Sequence, residues 1–184
     1  MVSFYLLQMN AKKLIQESTL LYNAAPTQCK QVRSIHLFSN GAIWMHSHMN
    51  QSENNFPHSV PFTLYGLLKY GISLSLFFIS LVLLYPIHIL LLPLSIFFFY
   101  IAEVHFLFLF PLLIDNVENP IWQSIKQTYR LGIVKTVFTV ILIAFFMLYG
   151  LINYTDPLRN WHIGCLALLI WYKNEVRDWI QPSV

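Results

Sequence analysis

The hydropathy pattern is dominated by one apolar run, from Gly71 to Ile114, whose only charged side chain is Glu103. As a single helix it would extend about 66 Å at about 1.5 Å per residue. The hydrocarbon core of a bilayer is about 30 Å thick and needs about 20 helical residues to cross. Pro86 and Pro93 lie near its middle, where proline favours a turn or a new helix start. The run therefore predicts two membrane spans folded into a tight hairpin.

Two further apolar segments follow. The segment from Val134 to Tyr154 is long enough for a third span. The next segment, Trp161 to Tyr172, is short for a full crossing, although its aromatic ends are typical of interface anchors. We expect it to be a short fourth crossing, and the alternative is a helix that lies in the interface.

The polar segment between the second and third spans predicts an amphipathic helix over residues 120–133. Asn119 is a suitable N-cap, and proline is favoured at the first helical position, here Pro120. Such helices often lie at the headgroup boundary. The helix and the start of the third span provide three basic side chains that we expect to face lipid headgroups: Lys126, Arg130 and Lys135.

The N-terminal region carries two different patterns. Apolar or small residues recur at gaps of three and four, which predicts an amphipathic helix with one buried stripe: Phe4, Leu7, Ala11, Leu14, Ser18 and Leu21. Asn40-Gly41 then lies between two runs rich in aromatic and β-branched residues, from Val32 to Met49. This arrangement predicts a β-hairpin, because a type I′ turn needs positive φ at both central residues. A polar, proline-bearing linker follows over residues 51–61.

These elements predict an all-α integral membrane protein with a four-helix transmembrane bundle and a small N-terminal cytoplasmic helix plus β-hairpin. The expected domains are an N-terminal cytoplasmic region, residues 1–61, and a membrane domain, residues 62–184. The expected spans are approximately residues 67–87, 93–114, 134–154 and 158–172.

Composition and charge agree with a membrane protein. The 184 residues are 57% hydrophobic and 10% charged, whereas soluble domains are about 25% charged. The formal net charge of +3 is spread along the chain, which argues against nucleic-acid binding. Four crossings place every lysine and arginine except Arg159 on one side. The positive-inside rule then predicts cytoplasmic N- and C-termini in an integral membrane protein, for which we expect the bacterial inner (plasma) membrane.

Glu103 is the most informative residue for function. It falls near the middle of the predicted second span, where an ionised carboxylate costs several kcal/mol on insertion scales. With no lysine or arginine expected at that depth, Glu103 needs another hydrogen-bonding group, water or a proton. The alternatives are a buried hydrogen bond between helices and a proton-relay, ligand or subunit-contact site. The candidate intramembrane functional residues are Glu103, His105, His88 and Tyr149.

The histidines of the N-terminal region raise a metal hypothesis. In the predicted hairpin, His46 and His48 share one strand face, and imidazole is a ligand for copper and zinc. Met45 falls on the other face, so a site would need a further ligand such as His58 or Cys29. Ordinary surface or interface histidines are the alternative, and no cofactor is otherwise expected.

The sequence contains no catalytic motif of a hydrolase, nucleotide-binding protein or zinc protease. We therefore expect a non-enzymatic protein: an accessory, assembly or scaffold subunit of a membrane complex that binds another membrane protein subunit. The alternatives are a transport or ligand-handling protein that uses Glu103, and a metal-binding membrane protein that uses His46, His48 and His58.

Overall fold

The computed structural model describes residues 2–24, 37–49, 57 and 59–180. Every regular element within those ranges is helical. The helices are α1 (Val2–Ala24), α2 (Leu37–Met49), α3 (Phe62–Leu84), a 3₁₀ helix (Ile89–Leu94), α4 (Ser95–His105), α5 (Leu109–Ile114), α6 (Pro120–Leu131), α7 (Ile133–Gly150), α8 (Arg159–Glu175) and α9 (Arg177–Ile180).

Three helical segments of the described chain are long and apolar enough to cross a membrane: Phe62–Leu84, Ile89–Ile114 and Ile133–Gly150. The predicted division of the long apolar run into two helical segments, each long and apolar enough to cross a membrane, is confirmed. Helix α3 ends before a turn that contains Pro86, and the second segment begins after it at Ile89. The residues of this turn, including His88, are exposed. The protein is thus helical and has the properties of a membrane protein.

The second candidate span is interrupted. It begins as a 3₁₀ helix, continues as α4, turns at Phe106–Phe108 and resumes as α5. Pro111 explains the interruption, because in a continuous α-helix its ring would collide with the carbonyl of Leu107. In the observed structure Pro111 instead lies in the first turn of α5, where proline is well tolerated. The predicted second span, residues 93–114, falls within the candidate span Ile89–Ile114, and the turn inside it was not anticipated.

The predicted β-hairpin is also wrong where the structure describes it. Asn40 and Gly41 lie within helix α2, so no type I′ turn forms there. The helix buries Ala42, His46 and Met49 on the rest of the protein, and this spacing of four and three fits a helical face. An isolated hairpin is only marginally stable, whereas burial of one face against the rest of the protein stabilises the helix. Residues 32–36, the other half of the predicted hairpin, lie outside the described residues.

The core of the protein surrounds α8. Helices α1 and α7 pack along α8, and α2 covers part of it. Over residues 10–24, the buried stripe of α1 comprises Ala11, Leu14, Ser18 and Tyr22, which confirms the predicted stripe from Ala11 to Ser18 and replaces Leu21 by its neighbour. The side chains of the predicted stripe residues Phe4 and Leu7 lie outside those that the structure describes. The charged face of α1, with Lys12 and Lys13, is exposed. The N-terminal helices therefore pack directly on α7 and α8.

Helices α7 and α8 run antiparallel along their full lengths. At one end, Asn160 Nδ2 donates a hydrogen bond to the Phe146 carbonyl over 3.0 Å. At the other end, Lys135 Nζ lies 3.3 Å from Glu175 Oε2. Helix α8 thus runs back along α7 and ends near the start of α7.

Candidate functional site: an intramembrane ion pair

Helix α3 has its polar side inward. Gly66, Lys69, Ser73 and Ser80 are buried, and their spacing of three, four and seven places them on one helical face. The opposite stripe is exposed and consists mainly of large apolar residues: Leu64, Leu67, Leu68, Gly71, Ser75, Phe78 and Val82. We call these residues the outer stripe of α3. This inverted pattern is expected of a helix that meets lipid on one side and polar groups of its own protein on the other.

Lys69 and Glu103 form an ion pair inside the helical hairpin. Lys69 Nζ lies 2.7 Å from Glu103 Oε1, and the two side chains are only 6% and 14% exposed. The expectation that Glu103 meets no lysine or arginine within the spans is therefore wrong. It failed because Lys69 was expected near the water boundary, at the start of the first span, whereas the residue lies two turns inside α3, which begins at Phe62. The antiparallel hairpin then brings it beside Glu103.

Aromatic rings enclose the ammonium group of Lys69. Its Nζ lies 5.5 Å from the ring centroid of Tyr70 and 6.0 Å from that of Phe110. The Phe38 ring of α2 stacks on both of these rings and occupies the space that a Cβ at Gly66 would need. Glycine at position 66 therefore allows the Phe38 ring of α2 to pack against α3, next to the rings that surround the ion pair.

One oxygen of Glu103 is unused. Glu103 Oε2 is buried, and no described group donates a hydrogen bond to it. Three nearby hydroxyl groups bond elsewhere: Ser73 donates to the Lys69 carbonyl, Ser80 to the Phe77 carbonyl and Thr136 to the Gly132 carbonyl. The buried Thr139 hydroxyl has no described partner and does not bond Glu103 either. The carboxylate thus keeps one acceptor that is shielded from solvent, and such an acceptor carries a cost until a donor meets it.

Two hydroxyl groups of α6 compensate for the interruption after α4. Thr128 Oγ1 donates to the Val104 carbonyl over 2.9 Å, and Ser124 Oγ donates to the His105 carbonyl over 2.8 Å. Ser124 Oγ also accepts from the Phe108 amide over 3.2 Å. The Ser124 hydroxyl thus satisfies a carbonyl and an amide that the broken helix leaves unpaired, which is essential in an apolar environment. The Thr128 hydroxyl adds a second donor to the Val104 carbonyl, which also accepts from the Leu107 amide.

The other candidate intramembrane residues lie apart from Glu103. His105 Nδ1 donates to the Ile101 carbonyl, and its Nε2 lies 3.3 Å from the Tyr129 hydroxyl on α6. His88 is in the exposed turn after α3 and accepts a hydrogen bond from the Leu90 amide. Tyr149 is exposed near the end of α7. The structure therefore brings Glu103 together with Lys69, and places His105 at the junction with α6.

The metal hypothesis depended on a strand face that does not form. In α2, His46 and His48 are two positions apart on a helix, which separates their side-chain directions by about 200°. His46 is buried, while His48 Nδ1 donates to the Trp44 carbonyl. No group of three or more potential ligands occurs among the described residues, and His58 lies outside them. Copper or zinc binding stays a prediction.

The three predicted lipid-facing basic residues differ in their surroundings. Lys126 and Arg130 are exposed on α6, and the guanidinium of Arg130 lies 3.3 Å from the ring centroid of Trp179 in α9. Lys135 forms the ion pair with Glu175 described above. Asn119 precedes α6 as predicted, but its left-handed backbone leaves no side-chain capping bond.

A second buried carboxylate was missed in the sequence analysis. The Asp115 side chain is 2% exposed, accepts a hydrogen bond from the Tyr172 hydroxyl over 2.8 Å, and pairs with Arg177 over 3.0 Å. Asp115 follows the second candidate span, so its position looked like an ordinary polar exit. No local signal identifies it, because both partners come from the C-terminal part of the chain.

Comparison with known proteins adds no family to this description. No family model, no curated protein and no solved structure matches the chain.

Proposed function

We propose that the protein is a small membrane-embedded accessory subunit that acts by contact with a partner membrane protein. The observation that carries this proposal is the Lys69–Glu103 ion pair. An intramembrane charge is often the reacting group of a transporter. Here the carboxylate is neutralised by a lysine of the same hairpin, so the pair fastens two helices together instead of remaining available to a substrate.

The outer stripe of α3 is the surface proposed for the partner. Only 17% of the most apolar stretch of α3 is buried inside the protein, the smallest share among the three candidate spans. Gly71 has open space where a side chain would stand, and Ser75 follows one turn later. Small residues at this spacing allow another transmembrane helix to approach closely. The partner is therefore proposed to be a transmembrane helix that packs at Gly71 and Ser75.

Bulk added at Gly71 tests this contact. A Cβ added at Gly71 has no described atom within 4 Å beyond its chain neighbours and its own helix backbone, and the position is exposed, so Gly71→Leu should preserve folding and expression. A membrane protein that co-purifies stoichiometrically with the wild type in mild detergent should be lost from this variant. Leu83→Phe is the matched control, because it adds bulk at an exposed position about a third of a turn away around the helix. Retention of the partner by Gly71→Leu, or purification without any stoichiometric partner, would refute the proposal.

For the membrane arrangement we propose four crossings in the bacterial inner membrane, with both chain ends in the cytoplasm. The antiparallel pairing of α7 and α8 supports this arrangement, since Lys135 meets Glu175 at one end and Asn160 meets α7 at the other. If α7 crosses the bilayer, a helix that returns along its whole length crosses it too.

A second candidate function is proton or ligand handling at Glu103, and the observation that favours it is the unbonded Oε2 atom. A hydrogen-bond donor on a ligand would satisfy that oxygen while the ion pair stays intact. A proton on Oε2 would instead neutralise Glu103 and leave Lys69 with a hydrogen bond in place of the ion pair. Proteoliposomes loaded with a pH-sensitive dye distinguish the two functions. The second function predicts a proton flux after an acid pulse that Glu103→Gln abolishes, whereas the accessory function predicts no flux in the wild type.

A further inference from the structure

Two basic side chains of α6 have no carboxylate partner in the part of the chain that the structure describes. Lys126 and Arg130 are exposed and four residues apart, so they share one side of the helix. Helix α6 itself contains no acidic residue. Lys135 pairs with Glu175 and Arg177 pairs with Asp115, so these two cations are already neutralised. Asp178 precedes Trp179 in α9 and is exposed, and it forms no ion pair with Lys126 or Arg130. Lys126 and Arg130 are therefore the cations of α6 that an external anion can meet.

Trp179 holds the Arg130 guanidinium in a defined position. The guanidinium carbon lies 3.3 Å from the ring centroid of Trp179. A stacked guanidinium uses its flat face, and its N–H groups remain directed outward around the edge. That edge matches two oxygens of a phosphate group, which arginine binds in a bidentate manner.

The position of α6 along the chain places this side at the headgroup level. Helix α6 ends at Leu131 and the candidate span α7 begins at Ile133, so Arg130 lies within one turn of a spanning helix. Trp122, Tyr129 and Trp179 are 66%, 59% and 59% exposed. Tryptophan and tyrosine are enriched at the membrane interface, where the ring contacts acyl chains and the polar edge contacts water. Ser124 and Thr128 fix the opposite face of α6 to the end of α4.

We propose that Lys126 and Arg130 form a binding site for the phosphate of an anionic phospholipid, with Trp179 as the residue that positions Arg130. The exposed aromatic residues favour a lipid over a soluble phosphate compound, since they provide an apolar contact that only a lipid with acyl chains can use. The site is independent of the contact proposed at Gly71, because it lies on α6 and α9.

Native mass spectrometry of the full-length protein in detergent tests the site with phosphatidylglycerol as the probe. We expect one phosphatidylglycerol to be retained in preference to phosphatidylcholine. Lys126→Gln and Arg130→Gln should each weaken retention about five-fold, the loss expected for one basic residue near an anionic surface. Trp179→Leu should weaken it as well, while Trp179→Phe should preserve most of the affinity, because a ring still faces the guanidinium. Lys12→Gln is the control, since it removes an equal charge from an exposed position on α1.

Equal retention of phosphatidylglycerol and phosphatidylcholine would overturn the proposal. So would unchanged affinity in the Lys126→Gln and Arg130→Gln variants, or an equal loss in Lys12→Gln. Inorganic phosphate is added in a separate arm, and displacement of the lipid at comparable concentration would show that the site recognises phosphate without a lipid. Unchanged thermal midpoints of the variants without added lipid establish that any loss of binding is local.

Discussion

Lys69 Nζ lies 2.7 Å from Glu103 Oε1, so the first and second candidate spans are joined by opposite charges in the apolar part of the protein. Transfer of either charge alone into an apolar interior costs several kcal/mol. Each charge therefore lowers the free-energy cost of burying the other. The same arrangement explains why α3 directs its buried polar face toward α4, and it fixes the rotation of one helix relative to the other.

Removal of one member of this pair should be strongly destabilising. Glu103→Gln leaves the Lys69 ammonium without a counter-charge, and Lys69→Met leaves the Glu103 carboxylate without one. Loss of one partner from a buried pair costs about 3–5 kcal/mol. The double variant Lys69→Met/Glu103→Leu should recover much of this loss, because no charge remains. Thermal unfolding in detergent measures all three variants.

The control for that experiment is the exposed pair of Lys13 and Glu17, whose atoms lie 3.8 Å apart. Lys13→Gln should leave the unfolding midpoint nearly unchanged, since surface pairs contribute little. A wild-type midpoint in Glu103→Gln would show that the carboxylate is not held as a charged partner of Lys69.

The hydroxyl groups of Ser124 and Thr128 should stabilise the interrupted second span. Ser124→Ala leaves the His105 carbonyl without a described donor, and an unsatisfied buried polar group costs about 1–3 kcal/mol. Thr128→Val should cost less, about 1 kcal/mol, because the Val104 carbonyl still accepts from the Leu107 amide. Hydrogen exchange should accelerate at the Phe108 amide in Ser124→Ala, because this amide donates to the Ser124 hydroxyl. Ser75→Ala, at an exposed position on α3, is the matched control. Unchanged exchange at Phe108 would contradict this role of Ser124.

The sequence was sufficient to predict the features that follow from the hydropathy pattern of a single segment. The reversal within the apolar run, the amphipathic helix now seen as α6 and the buried stripe of α1 from Ala11 to Ser18 follow from the period and length of the pattern. These features depend only on the order of apolar and polar residues within one segment, and a single sequence contains that information.

The ion pair and the helix α2 could not be obtained in the same way. The partner of Glu103 depends on the register of two antiparallel helices, and the hydropathy pattern does not show that Lys69 of α3 lies at the level of Glu103. Asn40-Gly41 favours a turn locally, but burial of α2 residues, together with the stacking of Phe38 over Gly66, outweighs that preference. Tertiary packing decided both cases.

Asp115 should anchor the C-terminal helices to the end of the second candidate span. Asp115→Asn removes the charge that faces Arg177, and Tyr172→Phe removes only a hydroxyl that donates to the same carboxylate. We expect Asp115→Asn to expose α9 to limited proteolysis, whereas Tyr172→Phe should cost about 1.5–3 kcal/mol and leave α9 protected, because the ion pair with Arg177 remains. Equal protease resistance of Asp115→Asn and the wild type would show that Arg177 is held by other contacts.

Single cysteines at three exposed positions should report the membrane arrangement. In a background with Cys29→Ser and Cys165→Ser, Tyr154→Cys lies between α7 and α8 at a position that is 96% exposed. An impermeant maleimide added to intact cells should label Tyr154→Cys, and should label Lys126→Cys only after permeabilisation, because α7 separates the two positions. Lys173→Cys near the end of α8 should behave like Lys126→Cys if α8 crosses the membrane. Labelling of Lys173→Cys together with Tyr154→Cys in intact cells would show instead that α8 stays on the side where it begins, and that only the three apolar segments cross.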